Sequence, residues 1–134
     1  MRKVSIEIAK AFINDKKKTV GNTYTEEGKI FLHNNKIAWW ESIGKYYSKG
    51  SHIDSNSVHL CFSMCGWDTV TTRERLNTLF YELFKSDRVY LRQSKGNQYL
   101  YVNLTCMEID PSKVYVLREI GEDVFLDDPI AIAI

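Results

Sequence analysis

The segment from Gly66 to Asn77 constrains the fold most, because it joins a turn to the start of a helix. Thr71 precedes Glu74 by three residues, a spacing that predicts a capping box in which each side chain bonds the other residue's amide. The apolar residues beyond it recur at helical spacing: Leu76, Leu79, Phe80 and Leu83. This periodicity predicts a helix over about residues 72–85.

A second amphipathic pattern predicts an N-terminal helix over about residues 4–15, ending in the lysine run 16–18. Short alternating or β-branched runs predict strands at 19–25, 29–33, 36–40 and 58–63. Asn34-Asn35 stands where a tight hairpin turn is expected. A further hairpin is predicted from residues 88–94 and 98–103, around Lys95-Gly96-Asn97, with edge strands at 106–109 and 113–117.

These elements predict an α+β fold, in which a small antiparallel sheet, a meander plus the C-terminal hairpin, is packed by two helices. Residues 1–121 are expected to form a single domain, with its motifs in about residues 4–103. Residues 42–57 are rich in Gly, Ser, Lys and Asn and predict a loop, with a short strand possible at 46–47. Residues 122–134 are acidic and then apolar, typical of an added strand, a docking segment or a frayed end.

Composition limits the classes of partner. Lys and Arg number 18 and Asp and Glu 17, so the net charge of +1 argues against general polyanion binding and requires a local patch for nucleic acid. The chain has no run of 18 apolar residues, so no membrane partner is expected. Glu7 interrupts any signal-peptide pattern, and three cysteines are an odd number. Both features favour a cytoplasmic protein with reduced thiols.

The charge at the start of the second predicted helix points to a ligand. Arg73 and Arg75 lie in its first turn, where the helix dipole disfavours cations and a bound anion would relieve the mismatch. Hydroxyl, amide and indole groups nearby would orient a phosphate-bearing ligand. The predicted ligand-binding residues are Trp67, Thr69, Thr72, Arg73, Arg75, Asn77 and Trp40. The alternative is that both arginines pack over Trp67, Tyr81 or the sheet.

Aromatic residues beside cations are the second candidate. Trp39 and Trp40 must point to opposite faces if they lie in a strand, so one of them is expected to be partly exposed. Tyr99 and Tyr101 share one face of their strand, where core packing is favoured over stacking of bases.

The titratable residues give no catalytic or metal motif. One partial cluster invites a metal interpretation: His59, Cys61, Cys65 and Cys106. Structural zinc uses two paired knuckles, so buried thiols are favoured and no metal or cofactor is predicted. A phosphate-binding glycine loop, a nucleophile elbow and a metal-binding histidine pair are all missing from the sequence. We therefore expect no enzymatic activity and no catalytic residue.

Three motifs occur in order: residues 18–23, residues 30–38 and residues 66–77. Together they resemble a family of small tailed-phage accessory proteins, which carry an NT strand, an LHGNKIA hairpin and a GWxTxTT+xRLN helix start in this order. The resemblance covers about residues 4–103 and implies a phage accessory protein in the bacterial cytoplasm, without enzymatic activity. This chain differs in Asn34, where glycine is usual, in its long loop 42–57 and in the extension after residue 103.

The sequence therefore predicts one of two functions. The first is a non-enzymatic phage protein that recognises a phosphate-bearing ligand, a nucleotide or a nucleic acid, in host takeover or defence evasion. The second is a protein that inhibits a host defence or transcription component without a small-molecule ligand. It would use exposed aromatics, the loop 42–57 and the acidic last third. The oligomeric state is left open by the sequence.

Overall fold

Two helices pack side by side in the computed structural model, which describes residues 3–42, 58–85, 87–120 and 123–127. Helix α1 (Lys3–Ile13) buries Ser5, Ile8, Ala9, Ala11 and Phe12. Helix α2 (Val70–Phe84) buries its apolar stripe and ends at Lys85, which adopts the left-handed conformation and donates its amide to the Tyr81 carbonyl. Both helices were predicted, with ends within two residues of those observed.

The described ranges contain ten strands. In chain order they are β1 (Lys18–Val20), β2 (Thr23–Glu26), β3 (Lys29–Leu32), β4 (Asn35–Ser42), β5 (Val58–Phe62), β6 (Val89–Ser94), β7 (Asn97–Val102), β8 (Thr105–Ile109), β9 (Tyr115–Ile120) and β10 (Asp123–Asp127). Seven form one antiparallel sheet in the order β1-β2-β3-β4-β5-β9-β10, and β6-β7-β8 form a second. The predicted α+β class, with antiparallel strands and two helices, is confirmed, although the hairpin forms its own sheet.

Tight turns set the strand boundaries. His33 and Asn34 both have positive φ (50° and 65°), so they form the two central residues of the β3–β4 turn, one position earlier than predicted. Lys95 and Gly96 form the β6–β7 turn in the same way, with φ of 51° and 81°. The single strand predicted at 19–25 is wrong, because the chain turns at Gly21, φ 61°, between β1 and β2.

The strand predicted at the edge over residues 113–117 lies inside the large sheet instead. Strand β9 pairs with β5 on one side, Leu60 opposite Leu117 and Phe62 opposite Tyr115, and with β10 on the other. β10 falls in the segment predicted as a tail, so residues 123–127 are an added strand. Residues 43–57, with the predicted loop and short strand, and residues 128–134 lie outside the described residues.

The main core lies between the sheets and the helices, where Phe12, Phe62, Phe80 and Leu100 are almost fully buried. Trp39 and Trp40 point to opposite faces of β4, as predicted. Trp39 joins Cys61 and Val116 in a smaller buried cluster, while Trp40 packs against the main core. Neither described helix has the length and apolar character needed to cross a bilayer.

Tyrosines of the small sheet lie outside this core. Tyr90, Tyr99 and Tyr101 are partly exposed, whereas their neighbours Val89, Leu91, Leu100 and Val102 are buried with α2. The expectation that Tyr99 and Tyr101 pack in the core is therefore wrong. Strand β7 alternates between buried and more exposed residues, but its tyrosines lie on the face away from helix α2.

Candidate ligand-binding site at the start of helix α2

Thr69 caps helix α2. Its backbone is extended (φ −90°, ψ 162°) and its hydroxyl accepts a hydrogen bond from the Thr72 amide at 3.2 Å. The Thr69 and Thr72 hydroxyls are also 3.0 Å apart. The predicted capping box of Thr71 and Glu74 is wrong, because the helix begins at Val70 and Thr71 already lies in its first turn.

Arg75 is enclosed by the protein. Its side chain is 8% exposed, and its Nη1 donates to Glu74 Oε2 at 2.7 Å and to Ser5 Oγ at 2.7 Å. Its Nε donates to Thr23 Oγ1 at 3.1 Å, and Ser5 Oγ donates to the same Glu74 carboxylate. This cluster joins α1, α2 and β2 and neutralises the guanidinium. Arg75 is therefore removed from the candidate ligand-binding residues.

Arg73 is held differently, by neutral acceptors. Its Nη1 donates to the Asp68 carbonyl at 3.0 Å, to Gln93 Oε1 at 2.8 Å and to Gln98 Oε1 at 3.1 Å. Among the ion pairs of the described ranges, none involves Arg73. The positive end of α2 thus retains one partly exposed cation that no described carboxylate compensates.

Asn77 and Trp40 serve the fold. Asn77 Nδ2 donates to the Leu91 carbonyl at 2.9 Å, and its Oδ1 accepts from the Leu91 amide at 2.6 Å, which fixes α2 to β6. The Trp40 ring stacks on Phe12 with centroids 5.0 Å apart. A Cβ on Gly28, φ +71°, would lie 3.5 Å from Trp40, so the hairpin also packs closely on this ring. Both residues leave the candidate ligand-binding set because their groups are already engaged.

Three of the remaining four predicted residues line one partly open cavity of about 210 Å³. Trp67, Thr69 and Thr72 contribute to it from the start of α2. Sequence reasoning missed the remaining lining residues: Leu32, His33, Asn35, Ile37, Met64 and Thr71. Four of these six come from the β3–β4 hairpin. The hairpin motif and the helix-start motif thus meet in space, which their separate positions in the sequence did not reveal.

Arg73 lines a different surface. It borders an open depression of about 330 Å³ together with Val70, Glu74, Asn77 and Thr78. The seven predicted residues therefore do not form one site. Three line the cavity, Arg73 lies on the neighbouring side of the helix start, and three are engaged in the fold.

The cysteines have three different environments. Burial raises the pKa of the Cys61 thiol to about 12, with the Glu41 charge adding to the effect and Lys36 opposing it. Burial also raises the pKa of Cys65, whose Sγ lies 3.1 Å from the Lys36 carbonyl, while Cys106 is exposed. In the part of the chain that the structure describes, no three His, Cys, Asp or Glu residues are placed to hold a metal ion.

This geometry defines a class of α+β protein with a small cavity at a helix start. Two motif segments form that cavity. Residues 1–115 match the family described as Kyanoviridae Gp96 protein. The chain belongs to this family of phage proteins, and the match extends beyond residue 103 to the first residue of β9. No curated protein and no solved structure matches the chain.

Proposed function

We propose that this phage protein is a non-enzymatic accessory protein whose cavity at the start of α2 recognises a phosphate-bearing ligand, a nucleotide or a nucleic acid strand. The supporting observation is that the cavity opens at the positive end of α2, where Thr69, Thr71 and Thr72 line it. Its site of action would be the host cytoplasm, in host takeover or defence evasion.

The backbone at this end of the helix has donors to offer. The Thr72 amide bonds the Thr69 hydroxyl, and the Arg73 amide bonds the Thr69 carbonyl at 3.1 Å. Among the hydrogen bonds of the described residues, none uses the amides of Val70 or Thr71. These two amides and the Thr71 hydroxyl would donate hydrogen bonds to a phosphate oxygen, and Arg73 beside them would attract the anion.

The size of the cavity limits how the ligand sits. At about 210 Å³ it is smaller than the sites of roughly 300–1,000 Å³ that hold drug-sized ligands. Only part of a nucleotide would enter it. The rest would lie over Trp67, which lines the cavity and is 59% exposed, so that its indole offers a stacking surface.

A thermal-shift experiment tests the proposal with a panel of nucleotides, inorganic phosphate and short oligonucleotides. A ligand that binds the folded state raises the Tm with its concentration. Trp67→Ala and Arg73→Gln should each remove most of this rise. Tyr81→Ala is the matched control, because Tyr81 is an exposed aromatic residue of helix α2 that does not line the cavity. A Tm that no compound raises, or a rise that Trp67→Ala leaves unchanged, contradicts the proposal.

The second candidate is a protein-protein inhibitor, favoured by the exposed apolar side chains at the helix start. Trp67 is 59% and Val70 is 64% exposed, and a protein partner would bury both. In this case no nucleotide would shift the Tm. A defined bacterial partner would bind the wild type and the Tyr81→Ala variant and would lose affinity for Trp67→Ala and Val70→Ser.

A further inference from the structure

The sheet β6-β7-β8 has one face that carries tyrosines, away from helix α2. Two cross-strand rows form it, and we call it the tyrosine face. The rows are Tyr90-Tyr101-Cys106 and Arg92-Tyr99-Glu108. The Tyr90 and Tyr101 rings are stacked, with centroids 4.5 Å apart and planes 4° from parallel.

This face is built unlike the opposite one. The alternate residues Val89, Leu91, Leu100 and Ile109 are buried in the main core with α2. On the tyrosine face the three tyrosines are partly exposed, and Arg92, Cys106 and Glu108 are exposed. Neither row contains an aliphatic side chain. Aromatic rings are therefore kept at the surface without the Leu, Ile or Val residues that would make a continuous apolar patch.

The charges beside the rings are unevenly distributed. Arg92 on β6 and Lys95 in the adjoining turn are exposed cations, whereas Glu108 lies on the edge strand β8. A polyanion would thus be attracted to the β6–β7 side and repelled from the β8 side. The hydrogen bond with Cys106 raises the pKa of the Tyr101 hydroxyl above its ordinary value.

We propose that the tyrosine face binds single-stranded nucleic acid, whose bases stack on Tyr90, Tyr99 and Tyr101 while Arg92 and Lys95 neutralise its phosphates. Aromatic rings beside cations are the common means of holding unpaired bases without sequence preference. This surface shares no residue with the cavity at the start of α2, so the inference does not depend on the function proposed for that cavity.

The dimensions favour a nucleic acid strand over a protein. Neighbouring strands are about 4.8 Å apart and alternate residues of one strand about 7 Å apart, so the two rows span roughly 10 Å by 7 Å. Sheets with surface aromatics stack two or three bases on such an area. A stable protein interface buries about 800 Å² on each partner, and an area of roughly 10 Å by 7 Å is far smaller than that.

Fluorescence anisotropy of the full chain with labelled ten-nucleotide oligo(dT) and oligo(U) tests the proposal. The wild type should bind, and its affinity should fall steeply as the salt concentration rises. Tyr99→Ala should weaken binding about tenfold, whereas Tyr99→Phe should retain it, because the ring rather than the hydroxyl stacks. Circular dichroism confirms that each variant is folded.

Two further variants locate the strand on the protein. Glu108→Gln should tighten binding, since it removes the carboxylate at the β8 edge. Tyr81→Ala should leave binding unchanged and serves as the control, because Tyr81 is an exposed aromatic residue of α2 outside both the tyrosine face and the cavity. The proposal is overturned if neither oligonucleotide binds, or if Tyr99→Ala binds as well as the wild type. Binding that Arg73→Gln weakens and Tyr99→Ala does not would place the strand at the start of α2.

Discussion

Arg73 and Arg75 are separated by one residue on helix α2, yet their environments are opposite. Arg75 faces α1 and β2, where it is buried against Glu74, Ser5 and Thr23. Arg73 faces the β6–β7 hairpin and is held by neutral oxygens at a partly exposed position. Since residues two apart point to nearly opposite sides of a helix, adjacent like charges need not act together.

This difference separates a structural role from a binding role at one helix end. A cation at the positive end of a helix is unfavourable, and the protein compensates Arg75 internally with a carboxylate. Arg73 has hydrogen bonds and, among the described residues, no such carboxylate. The buried side of α2 is therefore expected to govern stability, and the side beside the hairpin is expected to govern binding.

The largest effect is expected on the buried side. Arg75→Met should lower the free energy of unfolding by about 3 kcal/mol, because it removes the buried guanidinium that bonds the Glu74 carboxylate, Ser5 and Thr23. Urea denaturation measures the loss. Adding Glu74→Gln to Arg75→Met should recover part of it, and Arg73→Gln should cost less than about 1 kcal/mol. An equal cost for the two single arginine variants would remove the distinction between the two sides.

An intermediate effect is expected where α2 meets β6. Asn77→Ala should cost about 2 kcal/mol, because it leaves the amide and carbonyl of buried Leu91 without their side-chain partners. Thermal or urea denaturation checks the value. Asn14→Ala is the control and should cost much less, because the Asn14 side chain bonds the Lys10 carbonyl at an exposed position. An unchanged stability for Asn77→Ala would return this amide to the candidate ligand-binding residues.

The smallest effect concerns the cap. Thr69→Ala should cost about 1 kcal/mol, the usual value for loss of an N-cap hydroxyl. Thr71→Ala should change the free energy of unfolding by less than about 0.5 kcal/mol, because its hydroxyl does not cap the helix. The pair of variants distinguishes the observed cap from the capping box. The reverse order of costs would favour the capping box.

Local patterns predicted the helices and most strands because those patterns depend on neighbouring residues. The periodicity of α2 and the alternation of β6 and β7 were sufficient to place these elements. The cap was predicted two residues too late. Thr69 and Thr71 have the same side chain, and only the extended backbone of Thr69 distinguishes the true N-cap. The chemistry of a cap was predictable, but its position was not.

Contacts between distant segments limited the prediction of the site. Arg75 contacts Ser5, 70 positions earlier in the sequence. Asn77 bonds the backbone amide and carbonyl of Leu91, groups that every residue type except proline carries. Nothing local distinguishes these two side chains from that of Arg73. The cavity was missed for a similar reason, because four of its nine lining residues come from the β3–β4 hairpin, more than 30 residues before the helix.

The placement of β9 between β5 and β10 has a consequence for the order of folding. Strand β5 ends at Phe62 and its partner β9 begins at Tyr115, so β5 leaves the ribosome long before β9 is synthesised. Throughout that interval the nascent chain exposes unpaired main-chain groups of an apolar strand. Translation that stops before residue 115 should therefore yield a species prone to intermolecular pairing, which makes β9 a late safeguard against aggregation as well as part of the sheet.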